Sequence, residues 1–146
     1  MKIDLTEREV PPENEQPGVF ADVVQMVKAD KRNKHYKVLV LVGQLEATKS
    51  NGKRFTATAS FNLDNSRGIN RLKEMLKEWR GSDALPDLGT FDPEQEFLGK
   101  GFLAEPAVED KGGKRVIRLG RLKRSAGEPL AVSPDFVRAA PAAATP

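Results

Sequence analysis

Two early segments of the chain are rich in valine and leucine, residues that favour β-strands. The first, GVFADVVQMVK, begins at Gly18, and the second, HYKVLVLVGQLEAT, begins at His35. In the second segment both alternating sets of positions are apolar as far as Leu45. Such a pattern is typical of a strand that is buried on both faces or coiled around a closed barrel.

A third segment, RFTATASFNL, alternates between polar and apolar residues, which is the period of a half-buried strand. The alternation places Phe55 and Phe61 on one face and Thr56 and Thr58 on the other. We expect the first face to point into the core and the second to line the surface.

The Asn51-Gly52 pair before this strand predicts a two-residue type I′ turn, because both residues tolerate the positive φ angles that this turn requires. The resulting register places Lys49 opposite Arg54, a like-charge pair that destabilises a hairpin. Small and hydroxyl side chains would form a floor for a flat ligand beside this pair. Their predicted pairing is Ala47 with Thr56, Leu45 with Thr58 and Gly43 with Ser60.

Apolar residues then recur at helical spacing in DNSRGINRLKEMLKEWRG, with capping residues available at 64–66 and a stop at Gly81. The pattern predicts one amphipathic helix. Because Trp79 is the last member of the apolar stripe, a buried position is favoured over a base-stacking role. The stripe comprises Ile69, Leu72, Met75, Leu76 and Trp79.

After a short capped turn in DPEQEFLGK, the segment GFLAEPAVEDKGGKRVIRLGRLKR predicts two strands joined by a Gly-Gly turn. The order is therefore three strands, a helix and two strands. We predict a mainly β protein, a five-stranded OB-fold (Greek-key) barrel with one amphipathic helix between strands 3 and 4. An SH3-like barrel is the main alternative, although it does not normally carry a four-turn helix at that point.

The two ends of the chain differ in composition from the middle. Residues 1–17 are acidic and broken by prolines, and residues 125–146 are rich in alanine and proline, so both are predicted to be flexible. Within this tail, VSPDFVR is a candidate docking segment. The predicted domain, residues 18–124, has a net charge of +7, against −3 for the arm and −1 for the tail. A basic domain favours polyanions or an acidic partner surface.

Basic residues cluster in the three predicted hairpin loops. In an OB-fold, the loops after strands 1 and 4 flank a ligand groove that crosses strands 2 and 3. Cations there would follow the phosphates of a single strand, above a floor formed by Thr56 and Thr58. The predicted phosphate contacts are Lys31, Arg32, Lys34, Lys49, Lys53, Arg54, Lys114, Arg115 and Arg118.

Base stacking requires an aromatic ring at the groove. Tyr36, beside the first basic loop, is the first candidate, although its strand parity groups it with Val38 and Val40, toward the core. Phe55 is the second candidate because it lies near the hairpin tip, but it also has the parity of the core. His35 is expected to be an ordinary loop residue.

Residue types that support catalysis are scarce. The chain has no cysteine and one histidine, and it lacks both a GxxxxGK[ST] phosphate loop and an HExxH metal motif. The preference for acids at a helix N-terminus explains the cluster DPEQE at 92–96 more simply than a metal site does. We therefore expect a non-catalytic protein that uses no cofactor and no metal.

Across roughly residues 12–124 the chain resembles a group of small phage and prophage OB-fold proteins that bind single-stranded DNA. The resemblance rests on four stretches, which are PPENEQPGVFADVV, RFTATASFNL, INRLKEMLKEWRG with its LxxxLxxWRG pattern, and FDPEQEFLGK with the two strands that follow. These motifs mark strand starts and core positions, so they assign no individual DNA contact. The implied role is to coat single-stranded DNA during phage replication or recombination.

The sequence thus predicts a sequence-independent single-stranded DNA-binding protein. The partners to consider are single-stranded DNA, replication or recombination proteins and a second copy of the chain. No apolar run approaches a membrane span and the N-terminus lacks a signal-peptide core, so we expect a cytoplasmic protein, in the host bacterium if phage-encoded, with no membrane partner. The leading alternative is a non-catalytic interaction module, a phage accessory factor whose basic barrel docks on an acidic partner. A duplex or RNA binder is the third.

Overall fold

The computed structural model describes residues 10–81, 89–111, 113–125 and 130–138, without the side chains of Lys111 and Lys114. The predicted order of strands and helix is confirmed, and the predicted capped turn is a short second helix. The elements are β1 (Gln16–Ala29), β2 (His35–Thr48), β3 (Arg54–Asn62), α1 (Ser66–Arg80), α2 (Pro93–Phe97), β4 (Gly101–Lys111) and β5 (Lys114–Arg124).

The five strands form one closed barrel in the order β1-β2-β3-β5-β4. Neighbouring strands are antiparallel, except that β3 and β5 run parallel, with Thr58 aligned to Arg118. Pairing of Gln16 with Ala104 and of the next three residues of β1 with β4 closes the barrel. The prediction of a five-stranded OB-fold barrel with an amphipathic helix between strands 3 and 4 is confirmed.

Strand β2 is buried on both faces along its middle, as its sequence predicts. Leu39, Leu41 and Leu45 point into the barrel, where they belong to the hydrophobic core. Val38 and Val40 alternate with these leucines and lie on the opposite face, yet both are also buried. Burial on both sides of β2 indicates that another part of the chain packs against the outside of the barrel at this strand.

A cluster of four aromatic rings fills the barrel where the helices pack against it. Phe20 of β1 lies at its centre, with ring centroids 4.6 to 5.5 Å from those of Trp79, Phe97 and Phe102. Trp79 is 1% exposed, so the prediction that it belongs to the core is confirmed. Edge contacts between rings add to the free energy gained from burying them.

Helix α1 begins and ends as its sequence predicts. The side chain of Asn65 caps the N-terminus by accepting a hydrogen bond from the backbone N–H of Gly68 at 2.7 Å. A Cβ atom on Gly68 would come within 1.9 Å of the carbonyl oxygen of Asn62, so only glycine allows the helix to approach β3 this closely. Gly81 ends the helix in the left-handed region, with φ of 65°.

Helix α2 is held against the barrel by the carboxylate of Glu96. This group accepts hydrogen bonds from the indole of Trp79 at 3.1 Å, from Arg80 and from Arg124 at 3.1 Å. Burial by itself would raise the pKa of Glu96, but the hydrogen bond and charge of Arg80, together with Trp79 and Arg124, lower it below its ordinary value. At the start of α2, Asp92 accepts hydrogen bonds from two backbone N–H groups, which confirms the predicted capped turn.

Both predicted flexible ends contain residues that contact the barrel. Strand β1 starts at Gln16, two residues before the predicted domain boundary, and Pro11 is buried. The side chain of Gln16 donates to the carbonyl of Pro12 and accepts from the backbone of Ala47. At the other end, residues 130–138 lie against the barrel, while residues 1–9 and 139–146 fall outside the described ranges.

Candidate nucleic-acid interface

The hairpin between β2 and β3 differs from the predicted one in its turn. Only Gly52 has a positive φ, of 81°, whereas the type I′ turn needs one at Asn51 as well. The backbone N–H of Lys49 donates to Lys53 at 2.7 Å, and that of Gly52 donates to Lys49 at 3.0 Å. This pattern is a three-residue loop that ends in a glycine bulge, so the predicted two-residue turn is wrong.

The longer loop and a second irregularity shift the register of the hairpin. Between Gln44 and Thr48 strand β2 advances by four residues while β3 advances by two. Thr56 therefore pairs with Gln44 instead of Ala47, and Arg54 pairs with Thr48 instead of Lys49. A shift by an odd number of residues exchanges the two faces of a strand, which explains why Leu45 lies in the core and not beside Thr58.

We call the solvent-side surface of β2 and β3 the outer face. Its central rows are formed by three cross-strand pairs, which are Val40 with Ser60, Val42 with Thr58 and Gln44 with Thr56. Residues paired in this way project to the same side of a sheet. The outward position of Thr56 and Thr58 agrees with the sequence prediction, but their predicted partners Ala47 and Leu45 are wrong.

Tyr36 lies on the outer face, so its ring is more accessible for base stacking than the sequence suggests. It shares its parity with Val38 and Val40, as predicted, and Val40 pairs with Ser60. The core residues of β2 are the alternate set, which includes Leu39 and Leu41. The prediction that this parity points toward the core is therefore wrong, and Tyr36 is half-buried at one end of the outer face.

Phe55, the second stacking candidate, lies inside the barrel. Its side chain belongs to the core cluster and is 4% exposed. The ammonium group of Lys49 lies 5.9 Å from the centre of its ring, within range of a cation–π contact. A buried ring cannot stack on a base, so Phe55 is not part of the candidate interface, whereas the half-buried Tyr36 is.

The first basic loop projects from one end of the outer face. Its predicted phosphate contacts, Lys31, Arg32 and Lys34, are all exposed. The carboxylate of Asp30 shapes the loop by accepting hydrogen bonds from the backbone N–H groups of Arg32 at 2.8 Å and Lys34 at 2.9 Å. Asn33 adopts the left-handed conformation, with φ of 59°, that allows the chain to reverse.

The other two basic loops lie together at the opposite end of the outer face. Because β3 and β5 run parallel with Thr58 beside Arg118, the loop before β3 and the loop before β5 are neighbours. Lys49, Lys53 and Arg115 are exposed there, while the side chain of Lys114 lies outside the described part of the chain. Positive charge thus lies at both ends of the outer face, as the sequence predicts.

Arg118 borders the outer face on the side of β5. Its guanidinium lies 3.4 Å from the hydroxyl of Ser60 and 3.4 Å from the carboxylate of Glu109. Next to it, a groove of about 1040 Å³ separates α1 from β3 and β5. The groove carries charges of both signs, from Arg67, Arg71, Arg118, Arg121, Glu74, Glu78 and Glu109. Its mixed charge makes it a weaker candidate for a polyanion than the outer face.

The remaining part of the outer face is occupied by residues 130–138, which we call the C-terminal strap. Arg54 donates from its guanidinium to the carbonyl of Ala131 at 2.6 Å, and the side chain of Gln44 accepts from the backbone N–H of Ser133 at 2.8 Å. Arg138 forms a 3.0 Å ion pair with Asp22 of β1. The strap therefore crosses β3, β2 and β1 in turn.

Sequence reasoning missed both Asp22 and the strap's position. Asp22 pairs with Val42 and therefore projects onto the outer face, where it is buried. The segment VSPDFVR, within the strap, stood out only as a candidate docking segment, and its composition did not indicate which surface it would contact.

No protein-family model matches the chain, and no curated protein shows significant similarity to it. Among the described residues, no helix is both long and apolar enough to cross a membrane.

Proposed function

We propose that this protein binds single-stranded DNA without sequence preference and without catalysing a reaction. The observation that carries the proposal is the outer face itself, where the hydroxyl side chains of β3 lie beside Val40, Val42 and Gln44 of β2 and exposed cations lie at both ends. Single-strand binders need cations along the path of the phosphates and a surface on which bases can lie. A role in phage DNA replication or recombination is part of this proposal and rests on the resemblance of the sequence.

In the proposed complex, the strand runs across β2 and β3 from the first basic loop to the other two. Lys31, Arg32 and Lys34 contact phosphates at one end, and Lys49, Lys53 and Arg115 contact them at the other. Each contact releases counterions from the DNA, which favours binding most strongly at low salt. Tyr36 stacks on a base, and Thr56 and Thr58 line the floor.

Fluorescence anisotropy with a labelled dT oligomer, a duplex and an RNA oligomer tests the proposal. We expect the dT oligomer to bind most tightly, with a log–log salt slope of about −0.7 per phosphate neutralised. For three to six contacts the slope is roughly −2 to −4. Tighter binding of the duplex or of RNA would show that single-stranded DNA is not the preferred ligand. An affinity that does not depend on salt would contradict the electrostatic mechanism.

The C-terminal strap supports a second candidate, a protein-interaction module. Three of its residues, Ala131, Ser133 and Arg138, use polar contacts to hold this segment, which turns at residues 134–135, on the outer face. A surface that accepts one peptide is suited to accept another. Absence of binding to all three nucleic acids at low salt would favour this candidate.

A further inference from the structure

We propose that the C-terminal strap and single-stranded DNA compete for the outer face, so that the free protein covers part of its own binding surface. This inference rests on the proposed function and adds its regulation. Its basis is the course of the strap, which contacts β3 through Arg54, β2 through Gln44 and β1 through Asp22. A ligand crossing the same strands needs the same space.

The strap also engages side chains that a nucleic acid would use. The guanidinium of Arg54, a predicted phosphate contact, donates to the carbonyl of Ala131. The amide oxygen of Gln44, which lies beside Thr56 on the floor, accepts from Ser133. A phosphate that approaches Arg54 from the side of the strap competes with the carbonyl of Ala131 for the N–H groups of Nη1.

Charge adds to the competition. Asp22 lies in one cross-strand row with Val42 and Thr58, and the guanidinium of Arg138 neutralises its carboxylate while the strap is docked. Departure of the strap removes this cation from an acid that lies beneath the path of the phosphates. Two effects therefore weaken the binding of DNA. The contacts of the strap must be broken, and the carboxylate of Asp22 repels the phosphates.

The strap is held loosely enough to be displaced. Its hydrogen bonds and its ion pair with Asp22 are polar contacts, Val132 and Val137 are 38% and 85% exposed, and Leu130 and Phe136 are only partly buried. Segments that bury little apolar surface open at a small free-energy cost. If the strap is docked in nine molecules of ten, the apparent DNA affinity is lowered about tenfold.

The variant Ser133→Pro tests the competition without changing the charge of the protein. Proline removes the N–H that donates to Gln44 and leaves every cation in place. We expect Ser133→Pro to bind a dT oligomer more tightly than the wild type, by up to about tenfold for the occupancy above. Val137→Ala, in the same segment at an exposed position, is the matched control and should bind like the wild type.

Hydrogen exchange of the full chain supplies a direct readout of the strap. We expect the dT oligomer to raise the exchange rate of peptides from residues 130–138 while it protects β2 and β3. If the oligomer binds Ser133→Pro but not the wild type, this result would also support the competition. An unchanged exchange rate in the strap, with equal affinities for wild type and Ser133→Pro, would overturn the inference and leave the proposed function intact. Failure of both proteins to bind would overturn the proposed function, and the competition with it.

Discussion

The guanidinium of Arg138 lies 3.0 Å from the carboxylate of Asp22, which joins two residues that are 116 positions apart in the chain. Asp22 is 2% exposed, so its charge lies under the strap and away from water. Its carboxylate also accepts a hydrogen bond from the backbone of Val23 at 2.9 Å. The pair anchors the end of the strap to β1 and places an acid on a surface otherwise suited to a polyanion.

Replacing Arg138 with alanine should destabilise the protein, because it removes a cation from a buried carboxylate. We expect a loss of at most about 1.4 kcal/mol in the free energy of unfolding, measured by urea denaturation, because a strap docked in nine molecules of ten contributes no more than that. The same replacement in an Asp22→Asn background should cost less, because the buried charge is absent there. Equal losses in the two backgrounds would mean that the two side chains do not interact.

The base of the hairpin loop carries a like-charge pair, Lys49 opposite Lys53, in place of the predicted Lys49 and Arg54. Lys53→Thr should therefore raise the free energy of unfolding by a few tenths of a kcal/mol, up to about 1, because the repulsion disappears. The affinity for single-stranded DNA should fall in the same variant, because a phosphate contact is lost. Stability and affinity must change in opposite directions.

Arg54→Thr is the control for this variant. Arg54 faces Thr48 and donates to Ala131, so its removal relieves no repulsion and breaks a hydrogen bond. We expect no gain in stability from Arg54→Thr. A gain equal to that of Lys53→Thr would show that the repulsion is spread over the whole loop.

Tyr36 should contribute to DNA binding through its ring and not through its hydroxyl. We expect Tyr36→Ala to weaken binding of a dT oligomer by about 1 to 3 kcal/mol, as is typical of base stacking, and Tyr36→Phe to have little effect. His35→Ala is the matched control, because neighbouring residues of a strand point to opposite faces. Equal effects at positions 35 and 36 in anisotropy titrations would argue against stacking.

Glu96 should make the stability of the protein depend on pH. Because its pKa is lowered in the folded state, unfolding takes up a proton in mild acid. The stabilisation it provides is present above its ordinary pKa of 4.5 and is lost as the pH falls through the lower, folded-state pKa. Glu96→Gln should cost about 1 to 3 kcal/mol at pH 7, and this difference should shrink toward pH 3. A difference that is constant with pH in urea denaturation would contradict this role.

Local chemistry was enough to predict the elements of this fold. The two-residue period of RFTATASFNL, the helical spacing that ends at Trp79 and the capping side chain of Asp92 act within a few residues, so they can be read from the sequence. The number and order of the elements then allow few arrangements, and the OB-fold barrel was one of them. The basic loops at the two ends of the outer face follow from the same order.

The tertiary structure decided which face of β2 is the inside. The turn type and the irregularity between Gln44 and Thr48 set the register, and an error of three residues exchanges core and surface. For this reason Leu45 was predicted on the floor and Tyr36 in the core, and the structure places them the other way round. Both sets of positions in β2 are apolar, so the hydrophobic pattern by itself could not choose between them.

The strap and its anchor depend on contacts that form only after the barrel closes. Asp22, Gln44 and Arg54 belong to three different strands, and the pairing of those strands brings them into one path across the surface. The apolar side chains of this nine-residue segment follow neither a two-residue nor a helical period, so no pattern in the sequence identifies its partner. What the sequence by itself determined is therefore the set of elements and the charge of their loops, because these follow from neighbouring residues. The tertiary structure alone decided what covers the outer face, because that depends on residues far apart in the chain.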